Sequence, residues 1–514
     1  MSRSRSLAFL GCLSVAVCLS SCQRSDLTLA EALETKGPAA RGETSAFPVK
    51  KGEWPMWGGD PFRNMVNHVE TGIPHDWDVK TKKNIKWIQP LGSQSYGNPV
   101  IVDGRIFVGT NNDGERNEKV LGDKGVMMCF RESDGKFLWQ AVHDKLEAGR
   151  VNDWPLQGIC SSPCVQDGKA YYVSNRAEII CADLEGFLDG ENDGPYKDEK
   201  YSGPIDGDFI WVYDMIEELG VFPHNLATCS PLIVKDRLYV ITSNGVEKDH
   251  ITVPSPRSPS FIALDKTTGE LLWENADPGT KILHGQWSAP GYVEVNGSGQ
   301  MLFPGGDGWL RSLDPETGEL LWKFDLNPKD SVWDLGSKGT RNNIISTPVG
   351  VDGVVYLAVG QDPEHGMGAG HLYAIDASKR GDVTESSRLW HFGGKEFGRT
   401  ISTVAVKDGL LYASDLSGFL HCLDQKTGKP YWVFDTLAAV WGSPTWIDGK
   451  IFLGDEDGDM VILKAGKNLK VLNDKINLGN SVYTSPVAAS GVLYIVNRTH
   501  LFAIAVDAKA SSED

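Results

Sequence analysis

The chain has 514 residues and a formal net charge of −18. A surface of that sign repels polyphosphate and anionic headgroups, so nucleic acid is excluded as an expected partner. Its 57 glycines and 16 tryptophans imply many turns and a repeated structural task for Trp, and internal repeats take precedence over a domain count from length.

In chain order, Arg3 and Arg5 precede an apolar run from Leu7 to Leu19 that contains no acidic residue. The run is too short to span a bilayer and reads as a signal peptide. It ends Leu19-Ser20-Ser21-Cys22, which resembles the lipobox of bacterial lipoproteins. That resemblance implies lipidation at Cys22. Gln23, standing where an aspartate would signal inner-membrane retention, implies outer-membrane sorting. The expected organisation is a lipoprotein signal peptide at 1–21, a flexible tether at 22–52, a repeat body at 53–506 and a disordered tail at 507–514. Loss of Arg3 and Arg5 makes the mature chain two charges more negative.

The body repeats one unit. Its clearest half is Ala263-Leu-Asp265-Lys-Thr-Thr268-Gly269-Glu-Leu-Leu-Trp273, with copies ending at Trp322 and Trp432 and a looser one at Trp139. Each unit opens with Ser-Pro or a variant, then an alternating strand, a turn that is often Asp-Gly, and a second strand. Asp-Gly between period-2 runs signals a hairpin, and Thr-Gly signals another, with the glycine as the expected bulge residue. Starts at Asn98, Ser162, Ser230, Ala289, Thr347, Ser402-Thr403, Ser443 and Ser485 make eight units. The fold class is therefore all-β: an eight-bladed β-propeller of four-stranded antiparallel blades. Unit seven offers Val471 where Trp is expected, and unit eight lacks a fourth strand. Ile85 to Gln89, carrying Trp87, is predicted to supply that strand and close the ring beside Leu501 to Ala505.

The motif Ala-x-Asp-x-x-Thr-Gly-x-x-x-Trp resembles the tryptophan-docking motif of quinoprotein (PQQ-repeat) propellers, over roughly residues 54–506. The opening Trp54-Pro-Met-Trp57-Gly-Gly-Asp-Pro-Phe-Arg is similar to their lead-in. That family contains calcium- and quinone-dependent dehydrogenases of alcohols and sugars. It also contains non-enzymatic members, including the lipoprotein of the outer-membrane barrel-assembly machine. The resemblance admits PQQ and calcium as cofactors without requiring either. It places Cys129, Cys181 and Cys422 in a slot for small packing residues. No adjacent Cys-Cys pair and no Cys-x-x-Cys-His occurs.

Candidate site residues follow from topology, because crossovers between blades and the second-to-third-strand loops emerge on one face. The crossovers carry His224, His284, Gln286, Arg341, Asn342, Arg399 and Trp441, and one inner loop carries Gln361 and His365. His224, His284, Arg341 and Arg399 are expected to converge at a central mouth and favour an anionic or polar ligand. Asp189, Glu191 and Asp193 resemble half of a calcium loop, but Lys200 stands where its bidentate Glu belongs. A polar solvated loop is the competing reading there. The sequence thus points to a lipid-anchored, monomeric envelope scaffold for an envelope protein or a polar or anionic small molecule. A quinoprotein oxidoreductase is the alternative.

Overall fold

The repeat dictates a ring of small sheets, and the computed structural model shows eight of them. It describes residues 47 and 49–508, apart from 115, 335–338 and 361–367. Four strands taken in chain order make each of the first seven blades, as in Val100–Val102, Arg105–Asn111, Lys124–Arg131 and Phe137–Asp144 of the first; in the fifth, Gly381–Asp382 intervenes before the last strand. Gly381–Asp382 adds a short parallel strand to the rim of the fourth blade. In the Asp-Gly turns both residues are left-handed, for example Asp408 (φ 54°) and Gly409 (φ 77°). That pair matches the twist of the flanking strands. Helix is confined to Met215–Leu219 and a few 3-10 turns, Asp214 capping the former through the amides of Ile216 and Glu217.

Ring closure is as the sequence predicts. Ile85–Pro90 lies antiparallel to His500–Ile504, with Ile85 opposite Ile504 and Trp87 opposite Ala503. First and last parts of the repeat body therefore share the eighth blade, and the sheet has no open radial edge there.

The tryptophans join blades. Trp273 donates its indole N–H to Pro315 O at 3.0 Å in the next blade, and Trp390 does the same to Gln425 O at 2.9 Å. The Thr-Gly glycine of that next blade lies under the ring: a Cβ on Gly318 would sit 2.7 Å from Trp273, and one on Gly428 2.6 Å from Trp390. The glycine is thus needed for close approach as well as for its positive φ. The glycine closes the hairpin in the left-handed state, Gly269 N–H donating to Asp265 O, and a further bulge lies on the fourth strand just before the Trp, where register slips between Ala263 and Leu264. In the seventh blade this slip puts Asn473, not Val471, in the Trp slot opposite Ile462. Trp77, from the segment before the ring, is buried instead among Ile447, Phe452 and Ile504 between blades seven and eight.

Gly318→Ala combines a steric clash with a left-handed backbone and is expected to cost about 1–3 kcal/mol. Gly409→Ala, at similar φ (77°) but with no atom within 4 Å of its Cβ, should cost about 1 kcal/mol. Urea unfolding of the two variants measures the difference.

Two further devices hold the centre. At the head of the innermost strands, each blade's hydroxyl or amide accepts an N–H from the preceding blade: Ser162 N–H to Ser230 Oγ (2.9 Å), Thr403 to Ser443 (2.9 Å), Ser443 to Ser485 (2.7 Å) and Ser485 to Asn98 Oδ1 (2.6 Å). This explains the recurrent Ser-Pro start. Ala289, which has no hydroxyl, is bypassed by Ser288 Oγ donating to Ser346 O at 2.8 Å.

Below this ring the lead-in runs from blade to blade. Trp54 bridges Ile101, Pro55 O takes the Val165 N–H, Phe62 O takes that of Gly350, and Asn64 bonds Val406 in both directions. Val66–Asn67 pairs parallel with Thr445–Ile447, and Asn67 Nδ2 reaches Ala488 O. Arg63, fully buried, donates to Pro290 O, Trp57 O, Ser230 O and Pro231 O at 2.8–3.0 Å. One segment thereby ties the innermost strands of all eight blades. Phe47 packs edge-on against Phe62 and Tyr292.

Candidate functional site

An open cavity of about 180 Å3 lies on the axis above the lead-in, and every blade lends it a side chain. Its lower wall is the hydroxyl ring, whose polar groups are spent between blades. Its upper wall includes Tyr96, Trp287, Trp441 and Tyr483, and Trp57 of the lead-in also lines it. Tyr96 stacks on Tyr483 with centroids 4.9 Å apart, and Trp441 meets Tyr483 edge-on at 5.5 Å. The indole N–H groups of Trp57 and Trp441 are buried without a hydrogen-bond partner among the described residues.

The walls contain no carboxylate, ammonium or guanidinium among the described residues. Burial pushes both the Tyr96 phenol and the Cys160 thiol up to about 12, so the latter is protonated and not a nucleophile. Arg498, beyond Tyr96 and Tyr483, is the nearby cation acting on them, and Glu456 accepts the Tyr483 O–H at 3.2 Å. Such a cavity can receive a small, weakly polar group and donate hydrogen bonds to it. Among the described residues its lining offers no carboxylate or imidazole to serve as an acid–base pair.

The predicted ring of free positive charge does not form. Arg341 grips Asp325 through both terminal nitrogens at 2.8 and 3.0 Å, and its Nε donates to Asp307 O. It ties its own crossover to the fourth blade, which removes one of the charges on which an anionic ligand was predicted. Arg399 is half-buried and also engaged within the protein. Gln286 is a buried strut, donating to Asn244 O and Ser260 Oγ and accepting from Gly306 N–H. Asn342 is locked to Asn327. Trp441 alone of the predicted set lines the axial cavity. His224 and His284 do come together, ring centroids 4.5 Å apart, but beside blades three and four and outside the cavity lining. Gln361, His365 and Cys22 lie outside the described residues.

Asp189 and Asp193 approach each other together with Asp183, whereas Glu191 does not join them. Lys200 pairs with Asp144. The six described cysteines are all unbridged, and Cys129, Cys181 and Cys422 are buried as packing residues. Sequence reasoning missed Tyr96, Arg498 and His250, each from a connecting segment without a local signature; that of His250 is the long loop 242–260.

The crossover face carries another feature. Leu121, Leu156, Ile251, Val332, Trp333 and Leu437 all stand on its loops with 36–86% of their surface exposed. Leu156 (φ 61°) and Leu437 (φ 69°) hold left-handed backbone, a strained state for leucine.

Fold, repeat and docking geometry define a propeller of the quinoprotein-repeat class. A family model of the PQQ_2 type, described as outer membrane protein assembly factor BamB, matches residues 306–472. The chain is 24% identical over 378 residues to the BamB of Yersinia pestis, covering 73% of this chain and 78% of that one. It is 26% identical over 189 residues to a 1-butanol dehydrogenase (cytochrome c) of Thauera butanivorans, covering 33% of this chain and 22% of the enzyme. A quinone alcohol dehydrogenase subunit of Gluconacetobacter polyoxogenes is 23% identical, with 67% and 44% covered. The chain thus spans less than half the length of these two enzymes. The crystal structure of BamB from Moraxella catarrhalis superposes with a TM-score of 0.51 at 15% identity, covering 83% of this chain and 98% of that structure. Repeat, ring and matches support the PQQ-repeat β-propeller family for this chain.

Proposed function

We propose that this protein is a lipid-anchored scaffold of the bacterial cell envelope that docks a protein partner on its crossover face. The observation that carries this reading is the set of exposed apolar side chains on that face, two of them leucines held in strained backbone. Exposed apolar groups on the loops of this face, where another protein surface can meet them, favour a protein partner over a free anion. The similarity to BamB over most of both chains supports it. The acyl anchor at Cys22 and an outer-membrane address facing the periplasm belong to the same proposal, from the lipobox-like ending of the signal segment.

The quinoprotein alternative rests on the similarity to quinone-dependent dehydrogenases. PQQ carries three carboxylates and is held with calcium, which takes oxygen ligands, carboxylates foremost. The described walls of the axial cavity offer neither a calcium carboxylate nor a counter-charge, and the residues there do not fit that pair.

A photocross-linker placed at Leu156 or Leu437 in the producing cell should yield one discrete adduct. The same group at Asp408, in a first-to-second-strand turn on the opposite face, should yield none. Leu437→Asp is expected to weaken the partner about tenfold or more, as loss of an apolar anchor does. Equal labelling from both faces refutes the docking reading.

A further inference from the structure

His224, His250 and His284 present one ligand nitrogen each within 4.8 Å of one another, with ring centroids 4.5–4.9 Å apart. They come from three separate segments: the crossover into blade three, its second-to-third-strand loop, and the crossover into blade four. His224 and His284 are fully buried and His250 half-buried.

The backbone around them is built for this approach. Val246 O accepts a hydrogen bond from His224 Nδ1–H at 2.6 Å, which fixes the tautomer and puts the ring's lone pair on Nε2. The next N–H, that of Val246, donates to His284 O at 3.1 Å. Gly245 lets the strands close, since a Cβ there would lie 2.5 Å from His224 Cβ. Trp287 donates to His224 O at 3.0 Å and sets its ring edge against His284 at 4.8 Å.

We propose that these three histidines bind a divalent first-row transition metal, zinc above all, on the crossover face. Three imidazoles suit zinc, which takes nitrogen at about 2.0–2.1 Å and binds three protein ligands where a fourth position is kept for water or an incoming group. Two nitrogens on one tetrahedral ion at that distance stand about 3.3 Å apart, so binding draws the three ligand atoms together from separations of up to 4.8 Å. Calcium and magnesium, which take oxygen, are unsuited. The half-buried His250 side gives the fourth ligand its access. The site stands independently of the docking proposal.

The test uses the full chain, stripped with chelator, and zinc alone. Calorimetry should show one equivalent bound, and Co2+ in its place should give the intense visible band of a four-coordinate ion. His250→Ala should weaken zinc at least about 100-fold, since loss of even an outer-shell partner typically costs about 10–100-fold. His250→Cys, which restores a zinc ligand, should recover binding and guards against a mere folding defect. Two controls should leave the isotherm unchanged: His391→Asn, at the His371–His391 pair, and Asp189→Asn, at the acidic loop. No binding by wild type, or zinc binding unaltered in His250→Ala, overturns the proposal.

Discussion

Arg63→Met is expected to lower the stability of the propeller by about 3–5 kcal/mol, the range for breaking a buried charged network by removing one partner. The guanidinium meets four carbonyls, from Trp57, Ser230, Pro231 and Pro290. Methionine keeps the stem but leaves those acceptors buried, each costing about 1–3 kcal/mol where water cannot replace the donor. Asp60, half-buried, sits beside this charge, its carboxyl pushed up to about 7 by desolvation. The backbone is committed too: Arg63 has φ 61°, and a Cβ on Gly58 would lie 2.5 Å from its Cα. Arg105→Met, which loses a surface pair with Glu185 and an exposed 3.3 Å hydrogen bond to Asp103 O, should cost about 0–1 kcal/mol. Urea titration followed by tryptophan fluorescence compares the two. Equal midpoints would mean that the lead-in decorates the ring without holding it.

Deletion of residues 80–92 is expected to be still more damaging. It removes the whole strand Ile85–Pro90 and with it the pairing to His500–Ile504. It also removes Trp87, which is buried against Tyr494 and donates to Glu132 O in the first blade. Blades eight and one then lose their joint, and a long apolar strand edge is exposed for pairing with other chains. Size-exclusion chromatography should show aggregates, with little monomer left. A monomeric deletion protein with unchanged melting would contradict closure by this strand.

Most of the ring was legible because it is periodic. Once Asp265, Thr268, Gly269 and Trp273 are read as one unit, every copy reinforces the others, and the missing strand of unit eight points back to Trp87. What failed was set by contacts between distant segments. The bulge before each Trp moved the seventh slot to Asn473, and nothing local announces that Trp77 covers it. The lead-in resembled a family opening, but its path under all eight blades depends on side chains such as Arg63 and Asn64 meeting carbonyls hundreds of residues away.

The site shows the same division. Topology alone brings His224 and His284 to one face, since both precede an innermost strand. It could not supply His250, which arrives on an irregular loop, nor foresee that Arg341 is neutralised by Asp325 from the preceding outer strand. A crossover arginine looks the same in sequence whether it serves a ligand or its own blade. Sequence alone did not tell these apart.

Titration of the purified protein with PQQ in the presence of calcium, read by calorimetry and by dye reduction with alcohols and sugars, separates a scaffold from an oxidoreductase. For a scaffold the expected result is no stoichiometric binding and no reduction above background, because the described cavity walls supply neither calcium ligands nor charge for three carboxylates. One tightly bound equivalent of quinone with substrate-dependent dye reduction would contradict it and make this propeller an oxidoreductase.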